Sequence, residues 1–157
     1  MSGPAETASV LVRPPYAWAL AAAAGLGLEW LRPGPFVPVS MPAGVLAGCI
    51  LFACGLAFAA WAIASFRRAG TRVETYKPTT TIVAMGPYRF SRNPIYVGMV
   101  LGLIGLAVGF DSLWLVVALA VFCLVIRYGV VAREEAYLER KFGAGYLAYK
   151  DRVRRWL

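Results

Sequence analysis

Four apolar runs alternate with polar, proline- or glycine-bearing segments, and run length sets the expected elements. The first covers about 16–31, is rich in Ala and Leu, and closes on Glu29, Trp30 and Arg32 ahead of Pro33, Pro35 and Pro38. The second, about 43–66, is closed by Arg67 and Arg68. The third and fourth, about 94–110 and 113–131, are separated only by the residues around Asp111 and Ser112, which predicts a tight turn between antiparallel helices. Apolar runs of this length predict membrane-spanning helices. The expected fold is therefore an all-α integral membrane protein of four transmembrane helices, a single domain over 1–157.

The polar segments break this pattern in two places. From Arg67 to Asn93 charged residues are interspersed with Gly70, Pro78, Gly86 and Pro87, which predicts a mostly irregular connector. After Arg133 the chain becomes amphipathic, with Glu134, Glu135, Leu138 and Phe142, then Gly143, Tyr146 and Tyr149. Its last residues, Arg154, Arg155, Trp156 and Leu157, read as an interfacial anchor. Along the third run Gly98, Gly102, Gly105 and Gly109 recur every three or four residues, leaving one helix face nearly bare backbone for close packing.

Composition agrees with the pattern. Sixty per cent of the residues are hydrophobic, and a chain of 157 residues with four spans has no room for a separate soluble catalytic domain. The net charge of +8 lies beside the apolar runs, so anionic membrane lipid is the expected partner and nucleic acid is not. Six of the Lys and Arg residues lie in 67–92 and eight from Arg127 onward, against Arg32 alone on the opposite side. The positive-inside bias then places connector, tail and both termini in the cytosol, in a plasma (inner) membrane. The N-terminal arm carries Glu6 and one basic residue, so no cleaved signal peptide is expected. Cys49, Cys54 and Cys123 fall in apolar runs without metal-ligand spacing, and histidine is absent, so no metal site is expected.

Two places carry candidate chemistry. Asn93 followed by Pro94 suits the start of the third helix, with Asn93 as the side-chain cap. Arg89 and Arg92 beside that start favour an anion. Glu134 and Glu135 sit where the fourth run ends, and two acids at a helix C-terminus would oppose the helix dipole, so a cationic partner is expected. Successive helix positions diverge by about 100°. One glutamate is thus expected to face a ligand and the other to fix an arginine such as Arg89 or Arg92.

The residues Gly86-Pro87-Tyr88, Arg92-Asn93-Pro94-Ile95-Tyr96-Val97-Gly98 and, about 35 positions later, Glu134-Glu135, Leu138, Phe142-Gly143, Tyr146 and Tyr149 together resemble the superfamily of isoprenylcysteine carboxyl methyltransferases and phospholipid N-methyltransferases. That resemblance implies S-adenosylmethionine-dependent methyl transfer to a lipophilic substrate, with a carboxylate, amine or thiol as nucleophile. It implies a cofactor site in segments 78–98 and 127–150, lined by Arg92, Asn93, Pro94, Tyr96, Val97 and Gly98 on one side and by Glu134, Glu135, Phe142, Gly143 and Tyr146 on the other. Arg92 and Glu135 are the expected catalytic pair, and Arg92 is expected to hold the cofactor carboxylate or to gate its entry. One departure is Asn93, where eukaryotic carboxyl methyltransferases carry histidine. Two alternatives are a sterol-reductase-like oxidoreductase using NADPH, whose relatives are generally longer, and a non-catalytic membrane scaffold.

Overall fold

The computed structural model describes residues 8–35, 41–70 and 80–157. Among them every regular element is helical: α1 (Pro14–Leu31), α2 (Met41–Arg68), a single 3₁₀ turn (Gly86–Arg89), α3 (Pro94–Gly109), α4 (Leu113–Leu124), a π-helical segment (Val125–Val131), α5 (Ala132–Phe142) and α6 (Ala144–Arg152). The part of the connector at 71–79 lies outside the described residues. From residue 80 onward it is irregular up to the 3₁₀ turn, as expected.

Among the described residues two helices are long and apolar enough to cross a membrane: α2, and the continuous helix from Leu113 to Phe142 that α4, the π segment and α5 form together. Helix α3 is apolar but has 16 residues, and α1 has 18. Large apolar side chains on the outside, among them Leu20, Leu46, Ile50, Leu56, Val117 and Leu124, are exposed. Exposed apolar side chains on several helices suit hydrocarbon rather than water.

The glycine face of α3 packs as expected, against a second row of glycines in α2. A Cβ on Gly98 would lie 2.6 Å from the Gly55 carbonyl and 2.8 Å from Ala59 Cβ, while one on Gly105 would lie 2.6 Å from the Phe52 nitrogen. The two backbones are therefore in direct apposition, α2 running antiparallel to α3. Ser112 closes the α3–α4 turn by donating its N–H to the Ala107 carbonyl at 3.0 Å, and its hydroxyl accepts from the Leu115 N–H at 3.2 Å. Helix α1 lies along α4, where Gly25 faces Leu115. It is tied to α3 by the Trp18 indole N–H, which donates to the Met99 carbonyl at 2.8 Å. At the far end the Trp114 indole donates to the Arg32 carbonyl at 2.6 Å. The order across the bundle is α2, α3, α4, α1, and both polar segments meet at the end where α2 stops and α3 starts.

Two expectations about helix ends are corrected. The fourth helix does not stop near residue 131: backbone pairing continues without a break to Phe142, and Glu134 and Glu135 sit well inside it. Their amide and carbonyl neighbours are paired within the helix, so the dipole cost expected of acids at a C-terminus does not arise. At α3, Pro94 occupies the first turn as expected, but the Asn93 side chain makes no cap bond. Its Nδ2 donates instead to the Arg155 carbonyl at 3.0 Å, while the Asn93 N–H donates to the Ser91 hydroxyl at 3.1 Å.

Candidate functional site

At that end of the bundle a cleft of about 110 Å³ opens between the connector, the start of α3, and helices α5 and α6. Its walls include Phe66, Tyr88, Arg92, Tyr96, Glu134, Glu135, Tyr146 and Tyr149. The connector wall is built by the 3₁₀ turn, whose Tyr88 packs its ring against Phe66 of α2 at 4.9 Å between centroids. The Tyr149 hydroxyl of α6 donates to the Tyr88 carbonyl at 2.9 Å. Helix α6 can fold back onto α5 because Gly143 between them adopts φ of 51°, a conformation that side-chain-bearing residues rarely take.

The two glutamates diverge as their spacing requires. Glu134 accepts the Tyr96 hydroxyl through both oxygens, at 2.9 and 3.1 Å. Glu135 turns to the arginines: Arg92 Nη2 lies 3.0 Å from its Oε1, and Arg155 reaches it bidentately, Nε to Oε1 at 2.9 Å and Nη2 to Oε2 at 2.7 Å. Planar fork-to-carboxylate pairing of this kind is among the stronger ion pairs when shielded from water. The side chains of Arg92 and Glu135 are 7% and 9% exposed, and that of Arg155 is 31% exposed.

Arg92 is held from two sides and left open on a third. Nη2 is on Glu135 and Nη1 is 3.5 Å from the Lys150 carbonyl, while the buried Nε has no hydrogen-bond partner among the described residues. Lys150 itself is paired with Glu139.

The surrounding phenols stay protonated. Burial pushes Tyr149 up to about 12, with Arg92 pulling the other way. Burial raises Tyr146 as well, followed by the negative charge of Glu135. Tyr88 is raised by burial and then by Tyr149. Arg155 is raised in turn, first by its hydrogen bond to Glu135. The cleft thus offers hydrogen-bond donors and aromatic faces, and no phenolate.

Of the residues expected around a cofactor, the structure brings Arg92, Asn93, Tyr96, Glu134, Glu135 and Tyr146 to the cleft. Pro94, Val97, Gly98, Phe142 and Gly143 are not among its walls. Gly98 lies about 200° round the helix from Tyr96 and is taken up by the contact with Gly55. Pro94 and Val97 are buried, and Gly143 is the exposed bend between α5 and α6. Arg89 is exposed and is not the arginine that Glu135 fixes.

The C-terminal residues are also corrected. Arg155 is not a free headgroup anchor, because it closes on Glu135, and Trp156 packs against the buried cluster that contains Tyr96 and Val130. The sequence reading missed this strap, since nothing in the run of Arg154, Arg155 and Trp156 marks it as pairing with the α3 start.

All-helical among the described residues, with apolar outer faces and a mixed-charge cleft at the end of its bundle, the protein falls in the class of membrane-associated helical proteins. A family model for phospholipid methyltransferases matches residues 43–145, and the chain belongs to that family, one of methyltransferases acting on lipid-like substrates. A stretch of 51 residues is 53% identical to an uncharacterized protein of Haemophilus influenzae, covering 29% of this chain and 81% of that protein. No solved structure matches.

Proposed function

We propose that the chain is a four-span integral membrane methyltransferase that transfers the methyl group of S-adenosylmethionine to a lipophilic substrate at the cytosolic face. The observation that carries this reading is Arg92, buried beside the cleft with one guanidinium nitrogen unpartnered among the described residues. A buried donor without an acceptor costs about 1–3 kcal/mol, and an entering carboxylate removes that cost with a charge-assisted bond. Across the same cleft Glu134, bonded among the described residues to Tyr96, suits an amino group or ribose hydroxyls. The ring faces of Tyr88, Tyr96, Tyr146 and Tyr149 suit a sulfonium. The residues therefore fit a ligand with an anionic end, a cationic centre and hydroxyls, as S-adenosylmethionine has.

When bound, that cofactor would supply an electrophilic methyl group to an in-line nucleophile, the methyl–sulfur bond breaking as the new bond to the methyl carbon forms and S-adenosylhomocysteine leaving. The chain's own work is positioning and exclusion of water. Arg92 fixes the anionic end, Glu134 with Tyr96 fixes the polar groups opposite, and the buried aromatic walls keep the reacting atoms desolvated. The cleft opens at the end of apolar helices, so the nucleophile arrives on a lipophilic molecule whose carboxylate, amine or thiol reaches it from the bilayer.

The four-span topology rests on α1 and α3 pairing along α4 and α2, and on the basic residues gathered at the cleft end. In liposomes containing a total lipid extract and tritium-labelled S-adenosylmethionine, the protein should move label into the organic phase, and Arg92→Ala should lose most of that transfer. Label that never leaves the aqueous phase would overturn the lipophilic-substrate reading.

A further inference from the structure

Two arginines share one carboxylate at the mouth of the cleft, and they are not equivalent. Arg155 takes both oxygens of Glu135 in a bidentate pair, whereas Arg92 reaches only Oε1. Arg92 is also the more buried of the two, and its buried Nε has no hydrogen-bond partner among the described residues. Without Arg155, Glu135 would neutralise Arg92 one to one, and the most buried cation of the cleft would have little charge left to offer. With it, the trio carries one net positive charge. The other acid in the cleft, Glu134, faces Tyr96, and Lys150 is already paired with Glu139.

We propose that Arg155 is a positioning residue that occupies Glu135 and so keeps the charge of Arg92 available to the anionic end of the ligand. The proposal rests on the cofactor reading above. The main chain seats the strap independently of this side chain: the Arg92 N–H donates to the Arg154 carbonyl at 2.9 Å, and the Arg155 carbonyl accepts from Asn93 Nδ2 at 3.0 Å. Residues Ser91 and Arg154 form an isolated parallel bridge. Trp156 packs against the buried cluster next to it. Replacing the Arg155 side chain should therefore change the charge of the cleft without releasing the strap.

The test compares two ligands that differ at the end Arg92 is proposed to hold. S-adenosylhomocysteine carries the carboxylate, whereas methylthioadenosine has the same nucleoside and sulfur without it. In calorimetry on the full chain in detergent, Arg155→Gln should weaken S-adenosylhomocysteine about tenfold or more and leave methylthioadenosine within about twofold. Arg155→Lys should retain most of the affinity, and Glu135→Gln combined with Arg155→Gln should restore S-adenosylhomocysteine binding because Arg92 is then no longer neutralised. Equal weakening of both ligands by Arg155→Gln, or no recovery in the double variant, would reduce Arg155 to a structural strap and overturn the proposal. Unchanged binding of both ligands would do the same. If the parent protein binds neither ligand, the cofactor reading itself fails, and this inference falls with it.

Discussion

At the scale of single residues, the cleft depends on how three charges are shared. Arg92→Ala removes the buried guanidinium whose Nε has no hydrogen-bond partner among the described residues and should weaken S-adenosylhomocysteine by about 1.5–3 kcal/mol, the range for a hydrogen bond to a charged group. Calorimetry reads this directly, and unchanged affinity would leave Arg92 as a topology signal alone. Tyr96→Phe deprives the partly buried Glu134 of its hydroxyl donor, and thermal unfolding in detergent should show a loss of about 1–3 kcal/mol. The divergence of Glu134 and Glu135 was readable from their adjacency, because consecutive helical positions cannot face the same way. The reason given for their partners was wrong, since a helix end was assumed where the backbone continues to Phe142. Arg155 was hidden because the bond to Glu135 crosses the reversal at Gly143, and a cationic residue beside a tryptophan has the same sequence signature whether it meets lipid or a carboxylate.

At the scale of elements, apolar runs gave the helices well, since burying or lipid-facing 16 or more apolar residues leaves little alternative to a helix. Their termini were harder to read. Proline fixed the start of α3, but the π segment at Val125–Val131 has no sequence mark and carries the helix past the expected stop. The α2–α3 pair is the tightest interface and gives a prediction with a control. Gly98→Val places new atoms where even a Cβ would lie 2.6 Å from the Gly55 carbonyl, so thermal unfolding in detergent should show a loss of about 1–3 kcal/mol or more. Gly44→Ala, whose Cβ would meet only the Val108 carbonyl at 3.6 Å, should be neutral or slightly stabilising. Equal tolerance at both positions would mean that the glycine apposition does not hold the two helices together.

At the scale of the whole molecule, the proposed topology puts the cleft in the cytosol and the α1 end at Gly34 outside. With Cys49, Cys54 and Cys123 changed to Ala, an impermeant maleimide added to intact cells should label a cysteine at Gly34 and spare one at Thr81, which lines the cleft. Labelling of Thr81 alone would invert the orientation. The positive-inside count is the ground for this proposed orientation, and the family match covers 43–145, which takes in α2 to α5 but leaves out the residues around Arg155. What composition could not reveal is which charges meet, because that depends on the reversal at Gly143 and the seating of the final residues on the α3 start. The most direct test of the account is therefore calorimetry of the purified protein in detergent with S-adenosylhomocysteine and, separately, NADPH. Saturable one-to-one binding of S-adenosylhomocysteine, weakened in Arg92→Ala and with no competition from NADPH, is the predicted result. Tight binding of NADPH with no response to S-adenosylhomocysteine would contradict it.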